Sequence, residues 1–324
     1  MYTTINPVTK KPLIWRAINY VHYKLKTFIG GVLSQFVNFY YGNTAGFYFN
    51  FGAKKELHGY RKKFLSGEIP KLSSQHSKAA QQLTEFGYTL IGKTSSSDTI
   101  NAAVKKVQSS FLDRNLNVAS PNGASIHLLN PEKIPEIQKV FNNHIRNILI
   151  AHFGCAFRIQ TVRIWRNLHV PGADSEKHDV FSNTFHHDNT RVTGLKIFIL
   201  LTDGVNRDTG SFRFHNAKAS RRIVRCFGYF HRFMQTKGML RRLTNPKTLH
   251  FFEGDAGDCA IVNTQECLHA ASIPKQGSHR DILQFEVYPD EGKVKDTVAL
   301  FSTMSPDEEI LKYKKDEETQ KHPK

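Results

Sequence analysis

The feature that most constrains this 324-residue chain is a change in the period of its apolar residues near position 155. Before that point they recur every three or four residues, as one buried face of an α-helix requires. After it they alternate, as on strands with one buried face. Residues 158–166, 194–202, 211–214, 248–252, 258–263 and 280–288 all read as strands. Turn signals separate them: Pro171-Gly172, Asp203-Gly204, Asp208-Thr209-Gly210, Glu253-Gly254-Asp255 and Gln276-Gly277. Many short strands after a helical lobe predict a mainly β fold with helical support, a sandwich or barrel braced by N-terminal helices.

The helical lobe is legible in outline. Helices are expected over 78–86, ending at Gly87, over 99–114 behind the cap candidate Asp98, and over 137–153, ending at Gly154. Tyr88-Thr89-Leu90-Ile91 reads as a short strand, and residues 220–243 as a basic helical insert among the later strands. The chain divides into a basic N-terminal extension (1–71), a catalytic domain (72–290, with its β core from about 155) and a charged C-terminal tail (291–324).

Within the extension, Ile14, Ile18, Val21, Leu25, Phe28, Ile29, Val32, Phe36 and Tyr40 form an apolar helical stripe. Trp15, Tyr20, Tyr23, Arg16, Lys24 and Lys26 flank it. Such a stripe over 14–40 either packs on the barrel or lies in a membrane interface as a peripheral contact. No run of 18 apolar residues exists, so no membrane-spanning helix is expected.

Forty-five Lys and Arg against 28 Asp and Glu give a formal charge of +17, which favours anionic partners without choosing among them. Cys155, Cys226, Cys259 and Cys267 form neither a C-x-x-C pair nor a disulfide framework, and fit reduced thiols in a cytoplasmic protein.

The chemistry is concentrated in Phe185-His186-His187-Asp188-Asn189-Thr190. On an extended segment His186 and Asp188 point to one side and His187 to the other. His269, in Cys267-Leu268-His269-Ala270, follows the 258–263 strand and is the natural third ligand. Two imidazoles and one carboxylate on one face of a metal suit Fe(II), because three positions stay open. Arg280 lies eleven residues beyond His269 on the last strand. Its planar, permanently charged fork is suited to grip a carboxylate, which suggests an organic-acid co-substrate. The other histidines of the β region, His215, His231, His250 and His279, are read as ordinary packing or surface residues.

These residues resemble the phytanoyl-CoA dioxygenase family of Fe(II)/2-oxoglutarate oxygenases over roughly residues 84–290. Three patches carry the resemblance: FHHDNT, DTGSFRFHNAKASRR and GDAGDCAIVNTQECLHAASIPKQGSHR. It implies a double-stranded β-helix (a jelly-roll, cupin-like barrel) that binds Fe(II), 2-oxoglutarate and O2. It implies His186, Asp188 and His269 as the metal and catalytic set, with Arg280 on the distal carboxylate of 2-oxoglutarate. Oxidative decarboxylation to succinate and CO2, coupled to hydroxylation of a small-molecule or lipid-linked substrate, would follow.

The family often places Ser two residues after the distal His; here that position is Ala271, with Ser272 next. Ser272 and Gln160 are therefore the further co-substrate candidates, and Arg163 and Arg166 the candidate substrate contacts. Two other readings compete. The chain could be a basic β-barrel that binds nucleic acid or an anionic surface without turnover, although no nucleic-acid motif is present, so specific nucleic-acid binding is not expected. It could also be a metal-dependent barrel enzyme that does not use 2-oxoglutarate.

Overall fold

The computed structural model describes residues 55–62, 64, 72–120, 123–170, 182–188, 193–227, 243–302, 304 and 307–321. The 14–40 stripe, the 171–172 turn and most of the 220–243 insert lie outside the described residues.

Ten strands form two antiparallel sheets. The larger runs β1 (Tyr88–Lys93), β8 (Asp258–Val262), β5 (Leu195–Leu200), β10 (His279–Pro289), β4 (Phe157–Leu168), β3 (Ser125–Leu128) and β2 (Asn117–Ala119) in spatial order. The smaller runs β7 (Leu249–Phe252), β6 (Phe212–His215) and β9 (His269–Ala271). His186 bridges to His269 and so extends the smaller sheet beyond β9.

The two sheets face each other over one apolar layer. Phe198, Leu200, Ala260, Val262 and Ile282 from the large sheet meet Phe212, Phe214 and Phe252 from the small one. The opposite face of the large sheet carries Ile197, Ile199, Leu283, Phe285 and Val287, which pack under the helices in the main core. Successive residues of one strand thus enter two different cores. That is why β5 and β10 read as near-continuous apolar runs, while two-residue alternation survives on β4.

The helices begin and end where side chains and glycine allow. Helix α1 (Ser74–Phe86) starts four residues before its apolar pattern, because Ser73 and His76 form a reciprocal capping box. It ends at Gly87, whose φ of 77° suits a residue without Cβ. Helix α2 (Ser97–Leu112) is capped by Ser96, not by Asp98, which sits in its first turn instead. The single helix expected over 137–153 is two, α3 (Pro135–Val140) and α4 (Asn143–Phe153). The break falls at Asn142, whose side-chain oxygen accepts from the amides of His144 (3.0 Å) and Ile145 (3.2 Å). This local bond competes with a continuous helix. Helix α5 (Ala217–Phe227) opens the basic insert between β6 and β7.

Within the charged segment 291–324, the described residues include two helices that bury apolar side chains. Helix α6 (Thr297–Ser302) buries Leu300 and Phe301, and α7 (Glu308–Lys321) buries Ile310. Burial of these three large apolar side chains favours docking over solvation of the free segment. The 55–62 helix also docks: Arg61 donates to the carbonyls of Phe153 (2.7 Å) and His152 (3.1 Å) at the end of α4. Among the described residues no helix is long and apolar enough to cross a membrane.

Candidate metal centre

His186 and His269 are held side by side by two reciprocal backbone hydrogen bonds, each 3.0 Å, with ring centroids 4.3 Å apart. Asp188, two residues on, is fixed by its amide to the Thr264 carbonyl at 3.2 Å. His269 therefore lies on its own short strand, β9, rather than trailing the 258–263 strand. Ligand atoms of the three side chains all come within 4.8 Å of one another.

The tautomers follow from the partners. A carbonyl oxygen can only accept, so His186 Nδ1 donates to the Thr184 carbonyl at 2.8 Å and His269 Nδ1 donates to the Cys267 carbonyl at 3.0 Å. In neutral rings this leaves each Nε2 with a bare lone pair. Burial and the neighbouring His269 hold the His186 imidazole below its usual range, which favours that neutral form. The two Nε2 atoms stand 3.6 Å and 3.5 Å from the Asp188 oxygens. Burial opposes ionisation of Asp188, but His269 and Lys196 outweigh it and keep the carboxyl well below the ordinary range. Two imidazole nitrogens and a carboxylate converge on one buried point, and either a proton or a metal cation between them relieves their mutual repulsion. The cluster is able to hold a metal ion, and its second bonds to backbone carbonyls are those that orient metal-binding histidines.

A second buried charge lies on the same barrel. Arg280 is 2% exposed, and its Nε and Nη1 have no hydrogen-bond partner among the described residues. It alternates with Ile282 along β10 and so sits on the inner face of the large sheet. Burial alone lowers its guanidinium from the ordinary 12.5 to about 10. Its cross-strand partner is Asn167, 1% exposed, with both amide atoms equally unmatched. Buried polar groups ordinarily have hydrogen-bond partners, so the side-by-side nitrogens of Arg280 and Asn167 are unmatched donors that an acceptor would satisfy.

Of the remaining sequence candidates, Gln160, Arg163 and Arg166 are turned to other surroundings. Gln160 is exposed at the β-bulge where β4 slips against β10, so the pairing jumps from Thr161 to Ile159 and leaves it outside the ladder. Arg163 is committed to Asp307 and Glu309 of the C-terminal segment. Arg166 grips Asp281 with two 2.7 Å bonds and stacks on Phe111. Both arginines were read as substrate contacts because their strand was legible but the acids opposite them were distant in sequence. Ser272 is half-buried and its amide donates to the Ser211 carbonyl at 2.9 Å. Two residues escaped the sequence reading. Asn167 adjoins Arg166 on a recognised strand, and Lys196 interrupts an apolar run; that interruption was a usable signal.

No protein-family model matches the chain, and no curated protein matches it. Among solved structures it is similar to the epimerase SnoN in complex with Fe3+, alpha ketoglutarate and nogalamycin RO, at 12% identity and a TM-score of 0.50, over 69% of this chain and 88% of that one. The fold is a double-stranded β-helix. Its two layers are the β4-β10-β5-β8 part of the larger sheet and the three strands β7-β6-β9, which the His186 bridge extends. Lower-scoring similarities include EctD from S. alaskensis with 2-oxoglutarate and 5-hydroxyectoine (12% identity, 70% of this chain and 78% of that one, TM-score 0.49) and the carbocyclase SnoK from nogalamycin biosynthesis (17%, 73% and 92%, 0.48).

Within the β-helix, the cluster and Arg280 come from opposite layers. His186 and His269 sit on the small sheet, Arg280 on the large one. The fold thus carries a cluster able to hold a metal ion on one layer and a buried arginine on the inner face of the other.

Proposed function

We propose that this chain is an Fe(II)- and 2-oxoglutarate-dependent oxygenase that hydroxylates a small organic substrate, with His186, Asp188 and His269 as iron ligands. The observation that carries the reading is the pairing of a cluster able to hold a metal ion with an unpaired buried arginine in one barrel. Two neutral imidazoles and a carboxylate suit iron(II) and leave positions for exchangeable ligands. Arg280 and Asn167 would take the distal carboxylate of the keto acid. A protein that binds only polyanions on its surface has no use for a guanidinium that is 2% exposed. The Fe3+ and alpha ketoglutarate in the SnoN structure's own description agree with this reading.

Bound iron with 2-oxoglutarate supplies the oxidising chemistry. The chain's own part is to hold the two imidazoles in one tautomer, keep Asp188 ionised, and fix the acid's orientation through Arg280. Phe212 packs beside the His269 ring, centroids 5.5 Å apart, and belongs to the apolar layer shared with Phe198 and Phe214. The resemblance of three sequence patches to the phytanoyl-CoA dioxygenase family supports a catalytic unit at residues 72–290 and a small-molecule or lipid-linked substrate.

The test is 2-oxoglutarate consumption by the purified full-length chain with iron(II), scored as succinate formed over pools of small-molecule metabolites. Turnover should require iron and be lost in His186→Ala, Asp188→Ala and His269→Ala, which should still fold. Full turnover in His269→Ala would remove it from the site and sink the assignment.

A further inference from the structure

Lys196 is the one charged residue of β5, set between Leu195 and Ile197 in a strand paired on both sides. It alternates with Phe198, so it leaves the sheet on the inner face, and its side chain is only 15% exposed. A lysine so placed needs an anion. The nearest in the ladder is Glu286, its Cα partner on β10. That carboxylate is already engaged, by the Thr161 hydroxyl at 3.2 Å and the Tyr288 hydroxyl at 2.5 Å. Lys196 instead places Nζ 2.7 Å from Asp188 Oδ2.

We propose that Lys196 is a positioning residue of the metal site, an inference that rests on the metal reading above. A carboxylate offers lone pairs on both oxygens and can turn about its own axis. The contact is an ion pair rather than an aligned hydrogen bond, since Asp188 Oδ2 has no hydrogen-bond partner among the described residues. The ammonium's pull on that side of the group limits its rotation, while both oxygens stay near the two Nε2 atoms, at 3.6 Å and 3.5 Å. Two effects of the lysine oppose each other. Orientation of the ligand favours metal uptake, and the ammonium's charge disfavours it. Orientation wins, because the contact with the carboxylate is direct, whereas the ammonium acts on the dication at longer range and against the carboxylate's own charge. Partners that orient a metal ligand from behind typically contribute about tenfold to a hundredfold in affinity.

The experiment is an anaerobic titration of the full-length chain with cobalt(II), a spectroscopic stand-in for iron(II), following the visible absorption band. The metal-free thermal midpoint of each variant reports folding. Lys196→Met removes both charge and donor. Lys196→Gln is neutral and too short to keep the contact. Each should bind cobalt(II) about tenfold to a hundredfold more weakly, with a shifted band as the carboxylate turns. Lys196→Arg, which restores a cationic donor, should recover most of the affinity. If Lys196→Met fails to fold, Lys196→Gln carries the comparison. Wild-type or tighter binding in either folded neutral variant overturns the proposal. A wild-type chain that takes up no cobalt(II) overturns the metal reading itself, and this inference with it.

Discussion

Replacing Arg280 with methionine should make the ligand-free protein more stable and the co-substrate unable to bind. The two effects have one cause. The guanidinium is buried, its Nε and Nη1 lack partners among the described residues, and burial brings it from 12.5 to about 10. That drop corresponds to roughly 3 kcal/mol against the charged form inside the fold. Because the folded value is the depressed one, the charged group costs the fold stability at every pH below about 10. Methionine fills much of the same volume without a charge, and part of its advantage goes to imperfect packing. A net gain of about 1–3 kcal/mol, or roughly 2–10 °C in thermal midpoint, is expected. Against that, losing one side of a buried charge-assisted pair costs about 2–5 kcal/mol in binding, which is roughly 30-fold to 4,000-fold in Kd. Differential scanning fluorimetry of the metal-loaded protein across a 2-oxoglutarate series reads both quantities. Wild-type protein should show a midpoint that climbs with ligand; Arg280→Met should start higher and stay flat. A variant that starts lower, or climbs in parallel with wild type, would refute the idea that Arg280 waits unpaired for an acid.

Other perturbations separate structural arginines from functional ones. Arg166→Ala strands Asp281, which is 1% exposed, and should lower stability by about 3 kcal/mol while leaving 2-oxoglutarate affinity within a few-fold of wild type; a large affinity loss at unchanged stability would return Arg166 to the site. His127 is pushed down to about 4, by burial first and by Arg163 second, so it is neutral in the fold and titrates near 6.5 when unfolded. Its contribution is whole above pH 6.5 and is lost as pH falls toward 4; the thermal midpoint should fall across that window, and less so in His127→Gln, with identical pH profiles counting against it. Because Asp188 occupies the carboxylate position, chloride buffer should yield a hydroxylated and not a chlorinated product by mass spectrometry; a chlorinated product from the unaltered chain would mean that Asp188 is not a ligand.

Local pattern shows which residues can do chemistry and roughly which element carries each. The switch of period near 155 identifies the β region, because alternation and helical spacing are incompatible ways of presenting one apolar face. His186, Asp188, His269 and Arg280 were legible because their side-chain types have few other uses together. Glycines at 87 and 154 marked helix ends for the same local reason. Tertiary structure decided what each polar group faces. Arg163, Arg166 and Arg280 are alike in sequence, yet two of them meet acids brought in by β10 and the C-terminal segment, and one meets none among the described residues. Gln160 was lost to a bulge, which depends on how two strands slip rather than on either strand alone. Lys196 and Asn167 acquired their places only when β5, β4 and the His186 segment closed around one interior. Local patterns report the torsions and faces of a segment, but the partner of a buried charge is a long-range fact, settled by whichever strands the fold lays beside it.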